Sequence, residues 1–74
     1  MDEAVKKTLA ARRAFGKKAA EQIRLATSAI AAARRAESTL TASLQHKAAA
    51  DHLERAVAAL RALVEDEEDR ASRR

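Results

Sequence analysis

The chain contains no cysteine, no proline, no tryptophan and no tyrosine, and its 74 residues include a single glycine and a single phenylalanine. Without cysteine it can form neither a disulfide nor a thiolate metal site, and it has no thiol nucleophile. It also lacks the tyrosine and tryptophan rings on which single-stranded bases commonly stack. With no proline and one glycine, the residues that usually mark turns are almost absent, so any turn must come from weaker signals.

Long apolar runs are missing as well. The longest uncharged stretches span about nine residues, one of them 25–33, whereas a membrane-spanning helix needs about 20 apolar residues. The first residues are acidic and carry no apolar segment of the kind found in secretory signals. We therefore expect a soluble protein, cytoplasmic or recombinantly made, with no signal peptide or transmembrane segment.

Alanine dominates what is present, with 21 residues, and most of the remainder is leucine, arginine, lysine and glutamate. These are the strongest helix formers, and their excess is typical of long helices and coiled coils. Residues with a strong preference for strands are scarce. The sequence predicts one all-α domain over residues 1–74.

Small and aliphatic residues recur at alternating steps of four and three along most of the chain. Residues spaced in this way lie along one side of a helix and need a partner helix to cover them. We expect Ile23 and Ile30 to be buried at the helix contact, with Ala26 at the closest approach. The full predicted seam consists of Val5, Leu9, Gly16, Ala19, Ile23, Ala26, Ile30, Ala33, Leu40, Leu44, Leu53, Val57, Leu60 and Val64.

Gly16 has two interpretations. As a small residue on the seam, it would let a neighbouring helix approach closely, and we favour this interpretation. The alternative is that Gly16 ends a short first helix. Lysines at positions 17 and 18 would then open the next helix, where the helix dipole disfavours positive charge.

One straight helix cannot present both Leu44 and Leu53 to the same partner, so the chain must either break or face two partners. These residues are nine positions apart, a rotation of about 900° that places them on opposite sides of one straight helix. The hydroxyl residues of 38–41 favour caps and turns, and the Asp51–Glu54 pair offers a second candidate at 46–51. We place the turn at 38–41, which predicts an antiparallel hairpin with helices at about 2–37 and 41–70 and a frayed end at 70–74.

The distribution of charge favours the same hairpin. Residues 1–36 carry nine basic and three acidic side chains, whereas residues 37–74 carry six basic and eight acidic ones. Folding the chain near position 39 brings Arg12 and Arg13 alongside the acidic run at 65–69. An antiparallel dimer of long unbroken helices would satisfy the same pairing and remains an alternative.

Large apolar side chains are too few to support this chain as a monomer, and self-association is a common remedy in chains of this size. We therefore expect a homo-oligomer, with a dimer favoured; two hairpins would then form a four-helix bundle.

Catalytic and metal-binding patterns are not evident in the sequence. His46 and His52 are six residues apart, about 240° around a helix, so they cannot chelate one metal ion from a single helix. No Ser-His-Asp set, paired carboxylates or phosphate-binding loop can be drawn. We expect no enzyme activity and neither a metal nor a cofactor.

Two functions remain from the sequence. The first is a structural, self-assembling helical module; its scarcity of aromatics fits a designed or minimised protein, and its alanine- and arginine-rich composition equally fits a natural one. The second is a basic protein that binds RNA, DNA or another polyanion through its N-terminal half. The basic doublets point to several sides of a helix, which favours the first. The candidate polyanion contacts are Arg12, Arg13, Lys17, Lys18, Arg34 and Arg35.

Overall fold

The computed structural model describes residues 2–73, which form two long helices and the turn between them. Helix α1 spans Glu3–Arg35 and helix α2 spans Thr39–Ser72. Contacts between Arg12 and Glu67 and between Gln22 and His52 show that the helices run antiparallel. The predicted all-α helical hairpin is therefore confirmed.

Side-chain caps define where each helix begins. Asp2 accepts a hydrogen bond from the backbone N–H of Ala4 at 3.1 Å, and Ser38 accepts one from the backbone N–H of Thr41 at 3.1 Å. Both residues have extended backbone, as expected of N-caps that satisfy otherwise unpaired helical N–H groups. At the other end of α1, Arg34 and Arg35 lie in the last turn, where the helix dipole favours positive charge.

The turn consists of residues 36–38, slightly before the predicted 38–41, because Ser38 acts as the N-cap of α2 and helix resumes at Thr39. Helix α2 continues through 46–51, so the alternative turn at Asp51 is wrong. Gly16 lies inside the unbroken α1, which excludes the interpretation that it ends a short first helix. Helix α2 also extends to Ser72, two residues beyond the expected end.

The fully buried residues at the contact between the two helices are all alanines. Ala26 is 1% exposed and Ala56 is 2% exposed, and both lie in clusters that span the two helices. Since alanine carries only a methyl group, facing backbones can approach closely along such a line. We call this set the alanine seam; its members are Ala19, Ala26, Ala29, Ala33, Ala49, Ala56 and Ala59.

The larger aliphatic residues of the predicted seam lie beside this contact instead of within it. Ile23 is 45% exposed and Ile30 is 40% exposed, so a single hairpin does not bury them. Their neighbours Ala19, Ala26 and Ala33 occupy the line of closest approach, and a branched side chain next to that line is pushed to its edge. Three alanines of the predicted seam, Ala19, Ala26 and Ala33, do lie buried at this contact.

Charge complements the alanine seam. Helix α1 carries nine basic and two acidic residues, and α2 carries four basic and seven acidic ones, which gives net charges of +7 and −3. Arg12 Nε donates to Glu67 Oε2 at 3.0 Å across the hairpin. Exposed pairs of this kind contribute about 0 to 1 kcal/mol each, so they select the antiparallel arrangement more than they stabilise it.

The hairpin is a single layer of helices, since the Cα positions extend over 55 × 20 × 10 Å. Stable domains are usually built from at least two packed layers around one core. Over residues 2–73, neither helix contains a stretch long and apolar enough to cross a membrane.

Candidate functional site

One broad side of the hairpin carries large apolar side chains that remain partly exposed to solvent. Each of these residues is between 39% and 49% exposed. They come from both helices, and in each helix they lie along one side of the alanine seam. We call this surface the aliphatic face; it consists of Val5, Leu9, Ile23, Ile30, Leu53, Val57, Leu60 and Val64.

Spacing along each helix explains why these residues share one side. Ile23 follows the buried Ala19 by four residues, and Leu53 follows the buried Ala49 by four, a rotation of about 40° in each case. In an antiparallel pair, the same rotation away from the contact line leads to the same side of both helices. The next four-residue step places Val57 farther out on that side.

Gly16 forms a notch in the aliphatic face of α1, between Leu9 and Ile23. Its φ angle is not positive, and a Cβ atom at this position would meet nothing within 4 Å. The hairpin itself therefore does not require glycine here, although glycine inside a helix costs about 0.5 to 1 kcal/mol relative to alanine.

Two further leucines of the predicted seam lie elsewhere. Leu40 is 72% exposed and Leu44 is 57% exposed. Leu44 precedes the buried Ala49 by five residues, a rotation of about 140° in the direction opposite to the aliphatic face. These leucines are apolar and accessible, yet they are not part of the aliphatic face.

The two histidines have different surroundings. His52 is half-buried, and its Nδ1 lies 2.7 Å from Oε1 of Gln22 on the facing helix. Since an amide oxygen accepts, Nδ1 donates, and the pair fixes how α1 is aligned with α2. His46 is exposed. Within residues 2–73, no group of three or more histidine and acidic side chains is placed to hold a metal ion.

The six candidate polyanion contacts do not form one surface. Arg12 is engaged with Glu67 of α2, while Arg34 and Arg35 lie at the turn, far along the hairpin from Arg12. All six are exposed. Lys17 lies about 40° around α1 from Arg13, whereas Lys18 lies about 100° from Lys17. Helix α1 is thus basic on most of its outer surface.

The heptad spacing predicts a single seam, whereas the structure contains two surfaces, the alanine seam and the aliphatic face. The predicted seam lacks Ala29, Ala49, Ala56 and Ala59. Ala49 and Ala56 are nevertheless seven residues apart and Ala59 follows by three, which is the spacing of a heptad. The sequence does contain a signal for these residues, because the buried alanines of α2 each precede a leucine by four positions.

No protein-family model matches the sequence, and neither a curated protein nor a solved structure matches the chain.

Proposed function

We propose that this chain is a self-associating structural module, in which two copies cover each other's aliphatic face and form a four-helix bundle. The observation that carries this proposal is a division of roles between residue types. The residues buried within the described hairpin are all alanines, whereas the eight larger residues of the aliphatic face stay exposed on one side. A second copy would supply the layer of helices that the flat hairpin lacks.

Energetics support this proposal. Fully burying a large aliphatic side chain contributes about 1.5 to 3 kcal/mol. Since each residue of the aliphatic face is 39–49% exposed in the single hairpin, covering it in a dimer contributes about half of that value. The bundle therefore gains hydrophobic stabilisation from both copies that a single hairpin lacks.

Light scattering during size-exclusion chromatography tests the proposal directly. At micromolar concentration the protein should elute with about twice the mass of the 8.0 kDa chain. Its melting temperature should also rise with protein concentration, because association stabilises only the folded state. A fully helical species with the mass of one chain, and a melting temperature independent of concentration, would refute self-association.

A second candidate function, binding of RNA, DNA or another polyanion, is favoured by the net charge of +7 on α1. Basic residues such as Lys17 and Lys18 are exposed on this helix and are available to neutralise phosphates. Each neutralised phosphate releases counterions, so binding should weaken steeply with salt.

Chromatography on heparin tests the second candidate. The protein should be retained at low salt, and the double variant K17E/K18E should elute earlier than the unmodified chain. The matched control is the double variant E54Q/E65Q, which alters charge on α2 without adding acid to α1 and should not elute earlier. No retention of the unmodified chain at low salt would eliminate this candidate.

A further inference from the structure

One ion pair interrupts the aliphatic face. Arg12 Nε lies 3.0 Å from Glu67 Oε2, and this pair joins the two helices, whereas the other three ion pairs of residues 2–73 each lie within one helix. Arg12 lies between Leu9 and Gly16, three residues from one and four from the other, and Glu67 follows Leu60 by seven. Both charged residues are therefore on the same side of the hairpin as the aliphatic face, on the surface that a second copy would cover.

A charged pair on an apolar contact restricts what can cover it, because burying a charge is costly unless the charge is paired and hydrogen-bonded. In the single hairpin the side chains of Arg12 and Glu67 are 57% and 37% exposed, so water reaches both. The bond between them uses Nε–H of Arg12, and a guanidinium carries four further N–H donors while a carboxylate accepts several bonds. A second copy that covers the pair must therefore bring complementary charge to the same point. In coiled coils, one polar position within an apolar seam specifies register and oligomeric state in this way.

Two-fold symmetry allows two ways of stacking the aliphatic faces of two hairpins. In the same-end arrangement the axis is parallel to the helices. Helix α1 then lies against α2 of the second copy, each residue keeps its height along the bundle, and both turns lie at one end. In the opposite-end arrangement the axis is perpendicular to the helices, α1 lies against α1 of the second copy, and the turns lie at opposite ends.

The same-end arrangement brings the two ion pairs together. Since Arg12 and Glu67 are in contact within one hairpin, they share one height along the bundle, and the axis parallel to the helices places the pair of the second copy at that height. Each Arg12 then lies beside Glu67 of the second copy as well as its own. We propose that two hairpins associate with their turns at the same end, and that their two Arg12–Glu67 pairs form one layer of four alternating charges that sets this arrangement. The proposal rests on the self-association proposed above.

The opposite-end arrangement leaves each ion pair against apolar residues. The midpoint of the aliphatic face on α1, halfway between Val5 and Ile30, lies five to six residues beyond Arg12. A perpendicular axis through this midpoint carries Arg12 to the height of Ile23 of the second copy. Leu53 is at that height on the facing helix, since it adjoins the contact between the two helices at Gln22 and His52. Neither Ile23 nor Leu53 can pair with a buried charge.

The charges of the whole helices favour the same choice. The net charge is +7 on α1 and −3 on α2, so the same-end arrangement places opposite net charges side by side, whereas the opposite-end arrangement places +7 beside +7. At the border of the aliphatic face, the same-end arrangement brings Arg24 to Glu54 of the second copy, an attraction, and Arg13 to Arg61, a repulsion. The opposite-end arrangement brings Arg13 of each copy to Arg24 of the other, two repulsions. Electrostatic complementarity of this kind selects between orientations.

Mixing two charge-reversed variants of the full chain tests the four-charge layer. The variant R12E has an entirely acidic layer and E67R an entirely basic one, so each alone should dimerise at least tenfold more weakly than the unmodified chain. An equimolar mixture should form a heterodimer whose dissociation constant is within about threefold of the original, because two acids then meet two bases in one layer. Analytical ultracentrifugation with a fluorophore on one variant, at about 50 mM salt where charges are weakly screened, measures these constants. The matched control mixes K18E with D51R, two reversals away from the aliphatic face, and should show no preference for the heterodimer.

The distance between the two turns gives an independent reading. A spin label on the variant E37C, which adds the only cysteine, reports this distance in the dimer. The same-end arrangement predicts roughly 20 Å, about two helix spacings, whereas the opposite-end arrangement predicts roughly 50 to 60 Å, since each turn would lie about 20 residues from the axis. The longer distance, or a mixture of R12E and E67R that dimerises as weakly as its components, would overturn the arrangement while leaving self-association intact. A monomer by ultracentrifugation at all concentrations would instead refute self-association itself.

Discussion

Leu60→Asp should dissociate the protein into single hairpins, raising the dissociation constant at least a hundredfold. Each dimer would lose the burial of two leucine side chains, each worth about half of the 1.5 to 3 kcal/mol of full burial because Leu60 is 43% exposed in the single hairpin. It would also have to bury two carboxylates in the same apolar contact, which costs more. Sedimentation or light scattering over a dilution series measures the change. Because Leu60 is exposed within one hairpin, the substitution leaves the alanine seam in place.

Leu44→Asp is the matched control for this prediction. Leu44 is on the same helix, has the same side chain and is more exposed than Leu60, but it lies away from the aliphatic face. Its replacement should change the dissociation constant by less than about threefold. Equal effects of the two substitutions would show that the aliphatic face is not where the copies meet.

Ala26→Leu should destabilise the hairpin by about 1 to 3 kcal/mol, the usual cost of overpacking a well-packed contact. Ala26 is 1% exposed and clusters with Ala29 and Ala49, so three additional carbon atoms can be accommodated only if the helices move apart. Urea denaturation followed by circular dichroism, at a fixed protein concentration, measures the loss.

Ala10→Leu controls for the change of residue type. Ala10 lies in the same helix but is exposed, and leucine and alanine have similar helix propensities. Its effect should stay within about 0.5 kcal/mol. If Ala26→Leu were equally harmless, close contact through the alanine seam would be disproved.

The placement of Ile23 and Ile30 changes what their truncation should do. Had they been buried in the hairpin, Ile23→Ala would be expected to cost 2 to 5 kcal/mol through a cavity. Since Ile23 is 45% exposed in the single hairpin, most of the cost should appear in the dissociation constant, and little in the stability of an isolated hairpin.

Local signals in the sequence were sufficient for the helices and for the hairpin. Alanine-rich composition and heptad spacing predicted α1 and α2, and the charge difference between the halves anticipated the contact between Arg12 and Glu67. The hydroxyl cluster at 38–41 located the turn to within about two residues. The remaining error arose because Ser38 serves as a cap, and a cap and a turn residue look alike in sequence.

What the sequence determined by itself was therefore which residues lie along one side of each helix, because that depends only on the rotation per residue. What only the tertiary structure decided was which part of that side faces the other helix. A stripe that contains both alanine and isoleucine can turn either residue type inward, and the choice depends on how closely two backbones approach. In this hairpin the alanines permit the closest approach and occupy the contact, so the aliphatic residues are left exposed on one side.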